Sequence, residues 1–363
     1  MPTIPDWPRA HGTPEFQGHI RQSASDFEVT EILDYTLSGD GEHDYLWLEK
    51  QDANTAWVAG KLAVHAAVRE SDVGFAGLKD RNAVTRQWFS VRRPSSAGTN
   101  WNIFDLPGVR ILEQARHGRK LRRGAHSGNR FRIALRGVAA PQATVNERLE
   151  LVREAGVPNY FGEQRFGRDG NNLRLASDLF SGKRLRRSKR SIALSAARSY
   201  LFNHILQQRV SDGSWNRLVS GECACLDGSN SIFVVDQVDQ QLQKRCEEMD
   251  IHPGGALWGR GEPSCSGVIL ALEQSAVAPF EEFRKGLEMQ MDQSRRALRL
   301  AVRDLEWELD AQTLWLEFSV RVEDLRLPFY ARSRISNYGS DCWLSSAGRL
   351  FRCFVRAFWT PTA

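Results

Sequence analysis

The residues best suited to chemistry lie in one short segment, Gly77-Leu78-Lys79-Asp80-Arg81-Asn82-Ala83-Val84-Thr85-Arg86-Gln87-Trp88. A glycine closes a short strand-like run, and a carboxylate follows between two cations, Lys79 and Arg81. Positive charge beside an aspartate favours its ionised form. An ionised Asp80 at a strand end can serve as a nucleophile or a base. On residue types alone, a surface ion pair is the commoner account of such a triplet. Metal chemistry finds no support in the spacings. The six cysteines, at 223, 225, 246, 265, 342 and 353, include no CxxC pair, and Cys223-x-Cys225 has no nearby histidine to complete a zinc set. They read as thiols of a reducing compartment. No carboxylates or histidines stand at the ligand spacing of a Mg²⁺- or Zn²⁺-dependent nuclease.

Several elements must position this segment. Residues 27–33 alternate apolar and polar, and 45–49 are rich in strand formers. Gly39-Asp40-Gly41 between them signals a turn, so the two runs are expected to form a hairpin-like pair. Residues 54–70 predict a helix capped by Asn54 or Thr55, with Trp57, Val58, Leu62, His65 and Val68 on one face. His65 on that face reads as a core or boundary histidine rather than a ligand. Strands are expected at 73–76, 87–92, 109–112 and 131–135. The first 150 or so residues thus predict an α+β sheet domain. Helical patterns follow at 191–210, and 276–303 is helix-rich in composition. Strand-like segments return at 304–318, as though the first domain were completed late in the chain. The expected organisation is 1–154 and 304–363 for one domain, with 155–303 inserted between them.

The chain of 363 residues carries a net charge of +5 and is 41% hydrophobic, enough for a sizeable core. No acidic residue occurs from 114 to 146, where Arg116, Arg119, Lys120, Arg122, Arg123, Arg130, Arg132 and Arg136 cluster. A second cluster comprises Lys183, Arg184, Arg186, Arg187, Lys189 and Arg190. Such runs can be solvated faces, but two in a chain of modest net charge favour a nucleic-acid partner. Arginine predominates, and its planar fork suits phosphate oxygens. The proline-bearing start is no secretory signal, and no apolar run reaches 18 residues. A cytoplasmic, soluble protein is the expectation.

The segment around Asp80 resembles the signature of the TruD family of tRNA pseudouridine synthases, Gly-x-Lys-Asp-x-x-Ala-x-Thr-x-Gln, at every fixed position. Further blocks resemble the family in order. They are Asp26-Phe27-x-Val29 with Glu31, then Gly41-Glu42-His43 followed by Lys50 and Asn54-Thr55. Next come His126-Ser127-Gly128-Asn129-x-Phe131 and Asn159-Tyr160-Phe161-Gly162-x-Gln164-Arg165-Phe166-Gly167. His252-Pro253, Leu257-Trp258-Gly259 and Arg296-Ala297-Leu298-Arg299 complete the set, over roughly residues 20 to 318. The resemblance implies a pseudouridine-synthase-like α+β fold with a mixed, largely antiparallel catalytic sheet and an inserted α+β TRUD domain. It implies isomerisation of a tRNA uridine, at position 13 in the D-arm, by a monomer needing no cofactor, metal or membrane. Asp80 matches the catalytic aspartate, and Phe27 and Asn129 match residues that contact the target nucleotide. Phe131 lies in the same block, and Arg21 falls where the family has a basic residue near the site. Arg21 or Lys79 is expected to keep Asp80 ionised.

From about residue 320 the text departs from the family pattern, and a shifted coding frame there would account for the change. Phe329 and Tyr330 match no site position. The alternative that follows from this tail is a catalytically silent tRNA-binding or RNA-folding protein.

Overall fold

The computed structural model describes residues 3–13, 15–93, 98–229 and 231–321. Strands β1 (His19–Ile20), β2 (Phe27–Ile32), β3 (His43–Gln51), β4 (Val73–Phe75), β5 (Val84–Arg92), β6 (Val109–His117) and β7 (Gly128–Arg136) come first, with helix α1 (Thr55–His65) between β3 and β4. After helix α2 (Gln142–Ala155) and the short β8 (Val157–Pro158), the chain enters a second module. That module holds α3 (Asn171–Phe180), α4 (Arg187–Ser211), β9 (Glu222–Leu226), β10 (Ile232–Val235), α5 (Gln240–Glu247), β11 (Ile251–Leu257), α6 (Gly267–Val277), α7 (Glu281–Glu288) and β12 (Ser294–Ala297). The chain leaves through β13 (Arg299–Leu300), which pairs antiparallel with β8. Strands β14 (Arg303–Asp310) and β15 (Thr313–Arg321) then return to the first sheet.

The large sheet runs β14-β15-β7-β2-β5-β3-β6, with β1 on β7 and β4 on β5. All its pairings are antiparallel except β2 with β5. The second module has its own four-stranded sheet, β10-β9-β11-β12. The fold is therefore α+β with a mixed sheet, as the sequence predicts. Late completion is also seen: β15 pairs with β7 from Thr313↔Arg136 to Arg321↔Gly128.

Three expectations need correction. The runs at 27–33 and 45–49 do not form a hairpin, because β5 lies between β2 and β3. Charge explains the order. Glu28 on β2 and Glu49 on β3 both contact Arg86 of β5, at 3.0 and 2.8 Å. Arg132 of β7 pairs with Glu28 at 3.2 Å and Arg110 of β6 with Glu49 at 2.9 Å. One face of the sheet thus carries an alternating ladder, Arg132–Glu28–Arg86–Glu49–Arg110. Direct pairing of β2 with β3 would lose the cation between two carboxylates, and like charges across strands destabilise a sheet. Second, α1 stops at His65, because Ala67 takes a left-handed φ of 53° and the Val68 N–H returns to the Ala63 carbonyl. Asn54 is the cap, accepting from the Ala56 N–H at 2.9 Å. Third, 276–303 is helical only to Glu288. The arginine-rich end is strand, since Arg295, Arg296 and Arg299 are buried with their guanidiniums on carbonyls, Glu273, His252 and Asn159. Tertiary partners override helix propensity there.

One contiguous apolar cluster joins the two modules, running from Phe27, Phe131 and Phe318 to Phe161, Phe202 and Leu298. A second cluster packs α1 (Val58, Leu62) on Leu46, Leu48, Phe75 and Phe89. No helix among the described residues is long and apolar enough to cross a membrane. Arg86→Met should lower unfolding stability by about 1–3 kcal/mol in urea titration, the range for hydrogen bonds to charged groups. The loss in the double variant with Glu49→Gln should be smaller than the sum of the single losses, because the two share one interaction.

Candidate active site

The period of two along β2 sends Phe27, Val29 and Glu31 to one face and leaves Glu28 and Thr30 on the other. Register extends that face across the sheet. Glu31 lies opposite Asn129, Val29 opposite Phe131 and Phe27 opposite Ile133. Asn129 in turn opposes Val320, and Phe131 opposes Phe318. On the other side Val29 is level with Thr85, and Thr85 with Lys50. The segment 77–82 connects β4 to β5 over this face.

That segment is tied down from below. The Gln87 amide donates to the Gly77 carbonyl at 3.0 Å. The Thr55 hydroxyl, at the start of α1, accepts from the Lys79 N–H at 3.1 Å and donates to Gln87 Oε1 at 3.0 Å. Lys79 Nζ reaches Glu31 Oε2 at 2.8 Å, a pair whose side chains are 4% and 0% exposed. The other oxygen, Glu31 Oε1, accepts from the Trp88 N–H at 3.2 Å. Lys50 Nζ donates to the Asp80 carbonyl at 3.1 Å. The result leaves the Asp80 side chain on top, 22% exposed.

Arg21 is the cation that meets Asp80, with Nη2 at 2.9 Å from Oδ2. The remaining oxygen, Oδ1, accepts from the Asn82 N–H at 3.1 Å. Neither sequence neighbour contacts the carboxylate: Lys79 serves Glu31, and Arg81 Nε donates to the Asp52 carbonyl at 3.2 Å. The expectation that Lys79 or Arg21 attends Asp80 therefore resolves to Arg21. Arg21 adopts a left-handed φ of 56°, a conformation that costs a non-glycine residue about 1–3 kcal/mol. The turn that imposes it is anchored by the buried Asp26, which accepts from Arg136 at 3.0 and 2.7 Å and from the Ser23 N–H at 3.0 Å. Burial pushes the Asp26 carboxyl up, but those bonds outweigh it and leave its pKa below the ordinary carboxylate value.

The aromatic residues are placed beneath, not beside, the cation. The Arg21 guanidinium lies 4.2 Å from the Phe27 ring centroid. Phe27 is fully buried, 6.3 Å from Phe131, which stacks on Phe318 at 5.3 Å. Phe27 and Phe131 form the floor, and the flat guanidinium is the exposed layer above it. Asn129 is 2% exposed, and its Oδ1 is buried without a hydrogen-bond partner among the described residues. An unsatisfied buried acceptor is costly unless a further group supplies the donor. Phe329 and Tyr330 lie outside the described residues.

The site also contains residues to which the sequence reading gave no role: Glu31, Lys50, Thr55 and Gln87. Glu31 carried a signal, since an acidic residue in phase with Phe27 and Val29 must face the core. Lys50, Thr55 and Gln87 stand in the family-like blocks, but nothing in the residues around them shows that they meet beneath the 77–82 segment.

The basic stretch divides in two. Arg130, Arg132 and Arg136 are committed to Glu317, Glu28 and Asp26. Arg119 and Arg122 are exposed, with no ion pair among the described residues, on the 118–127 loop. This loop leans on the strand leading to Asp80: Gly124 N–H donates to the Ala76 carbonyl at 2.7 Å, and a Cβ at Gly74 would stand 2.3 Å from the Leu121 carbonyl oxygen.

The architecture is that of the TruD-type pseudouridine synthases. It aligns with the crystal structure of a Methanosarcina mazei protein assigned to TruD at a TM-score of 0.72 and 19% identity, over 87% of this chain and 93% of the other. The family model of tRNA pseudouridine synthase D (TruD) matches residues 9–184 and 180–321, and the chain belongs to that family. Among its relatives, tRNA pseudouridine synthase D of Methylococcus capsulatus is 50% identical over 309 residues, 84% of this chain and 87% of the relative. The protein of the same name from Hydrogenovibrio crunogenus is 43% identical over 315 residues, 86% of this chain and 91% of the relative. Glu31→Gln should leave Lys79 buried and unpaired and cost about 3–5 kcal/mol in chemical denaturation, the usual loss when one partner of a buried ion pair is removed.

Proposed function

We propose that the protein isomerises uridine to pseudouridine in tRNA, acting on uridine 13 of the D-arm in the cytoplasm, with Asp80 as the reacting carboxylate. The observation that carries this is the Asp80 carboxylate, held by Arg21 at 2.9 Å on an anchored loop and on the same face as the unsatisfied Asn129 carbonyl. The reaction breaks the C1′–N1 glycosidic bond, turns the uracil and forms C1′–C5, and the proton on C5 moves to solvent as N1 gains one. No oxidant or energy source is consumed. The protein must supply an extruded nucleotide, a carboxylate beside its ribose and a grip on the detached base.

Each named residue has a part. Asp80 either attacks as nucleophile or removes a ribose proton; both use its ionised form. Arg21 aligns the carboxylate and offers its guanidinium plane to a base, backed by Phe27; stacking of this kind is worth about 1–3 kcal/mol per base. Phe131 supports Phe27. The Asn129 acceptor suits the N3–H of uracil, a donor that survives rotation of the ring. Arg119 and Arg122 on one side, and Arg184, Arg186, Arg187 and Lys189 on the 155–303 module, would take phosphates. The second group sits at the N-terminus of α4, where the helix dipole disfavours cations, so bound phosphate would relieve a standing repulsion.

Asp80→Asn should abolish pseudouridine in a tRNA assay read by carbodiimide treatment and primer extension, while tRNA affinity in filter binding stays near that of the unaltered chain. Turnover by that variant at the normal rate would remove Asp80 from its role. Salt-dependent tRNA binding without product from the unaltered chain would favour the silent RNA-binding alternative. A stop at a different nucleotide would move the target away from position 13.

A further inference from the structure

Beneath Asp80 lies a charge for which the reaction above has no use. Lys50, on β3, is fully buried. Its Nζ donates to the Ala53 carbonyl at 2.8 Å and to the Asp80 carbonyl at 3.1 Å, and it has no carboxylate partner among the described residues. An ammonium buried on neutral acceptors is expensive. Its cross-strand neighbour Thr85 adds no relief, for the Thr85 hydroxyl is itself buried without a partner among the described residues. Filling space does not explain a lysine here, since an unbranched apolar chain would occupy the same volume but leave the Ala53 and Asp80 carbonyls without this donor. Position does. Lys50 touches the one residue whose side chain must be aimed.

We propose that Lys50 is a positioning residue for the isomerisation: its ammonium holds the Asp80 backbone from below and so sets where the carboxylate points. This rests on Asp80 being the reacting group. The charged groups around Lys50 are few. Lys79 and Asp80 face it from the loop, Glu31 of β2 faces Lys79, and Arg21 faces Asp80. The start of α1, which follows Ala53, presents the uncharged Asn54 and Thr55.

Burial above all, then the charge of Lys79, lowers Lys50 to about 8, with Asp80 opposing the shift. Raising the pH through that value has two effects of opposite sign. The bond to the Asp80 carbonyl loses its charge assistance, so turnover should fall. The folded state binds fewer protons than the unfolded one between about pH 8 and 10, so the contribution of Lys50 to stability should rise over the same range. A merely structural lysine would make the two change together.

The test compares the unaltered chain with Lys50→Met for kcat and KM on tRNA and for Tm, from about pH 6.5 to 9.5. Lys50→Met is expected to fold, to keep its KM, to lose about 100-fold in kcat, as a small displacement of a reacting group does, and to lack the alkaline fall near pH 8. A Met variant with near-normal kcat would overturn the proposal, as would the same alkaline fall in both proteins. Should the variant not fold, the unaltered chain decides: no fall in kcat near pH 8 overturns the idea. Asp80→Asn separates the two levels. A dead Asp80→Asn with an active Lys50→Met sinks only the role of Lys50, whereas an active Asp80→Asn sinks the reading of the site.

Discussion

A loop that belongs to no strand must still satisfy its backbone, and segment 77–82 does so almost wholly with buried side chains. Gln87 takes the Gly77 carbonyl, Thr55 the Lys79 N–H, Lys50 the Asp80 carbonyl and Asp80 itself the Asn82 N–H. Leaving one such group unsatisfied costs about 1–3 kcal/mol, roughly twice the net gain of an ordinary hydrogen bond. The partners come from β3, α1 and β5, so the loop is correct only when all three are in place. The placing of the Asp80 carboxylate is thus the output of a folded sheet, not of a local motif. The same logic explains the spacing of the signature: Lys79, Thr85 and Gln87 are all buried, Lys79 on Glu31, Gln87 on the Gly77 carbonyl and Thr85 opposite Lys50.

The two faces of the sheet divide the electrostatic work. The outer face carries the Arg132–Glu28–Arg86–Glu49–Arg110 ladder, half-exposed and paired strand to strand. The inner face carries few charges, and those are buried: Glu31 with Lys79, and Lys50 on carbonyls. A ladder of five partners fixes strand order, since exchanging neighbours places like charges together. Order in turn fixes which residues share a row, and it is the row Asn129–Glu31 that brings the unsatisfied amide next to the carboxylate supporting the loop.

Much of this was legible in the residues. Period-two alternation located β2 and β5, strand-like text at 131–135 located β7, the Asn54 cap located α1, and the return of strand-like text at 304–318 located β14 and β15. What escaped was whatever depended on partners distant in sequence. Nothing in the residues around Asp80 announces Arg21, 59 residues upstream, which the family resemblance alone brought forward, while the adjacent Lys79 and Arg81 look like its partners and are not. Strand order escaped because Gly39-Asp40-Gly41 specifies a turn without specifying which strand is reached after it. The arginines at 295, 296 and 299 read as helix because burial of a guanidinium on carbonyl groups leaves no trace in a propensity scale.

The second module is bound to the first by more than the β8–β13 exit. Asp227, in the turn after β9, accepts from His252 at 2.9 Å within its own module and from Arg303 and Arg321 of β14 and β15. Those two strands belong to the large sheet, and β15 contributes Phe318, which stacks on Phe131 in the floor under Arg21. Burial raises the Asp227 carboxyl, but the His252 and arginine partners more than reverse it and leave its pKa below the ordinary carboxylate value. On the opposite side of the imidazole, Arg299 donates to His252 Nδ1 at 3.0 Å, which requires that nitrogen to be an acceptor and leaves the proton on Nε2 for Asp227. Burial lowers the pKa of His252 and keeps it in this neutral form. A relay of fixed direction, Arg299 to His252 to Asp227, therefore meets the last two sheet strands at one carboxylate. Tilting the module would have to break charge-assisted bonds at that carboxylate and, through β15, disturb the aromatic floor. The orientation of the module and the shape of the site beneath Asp80 are for that reason not independent variables.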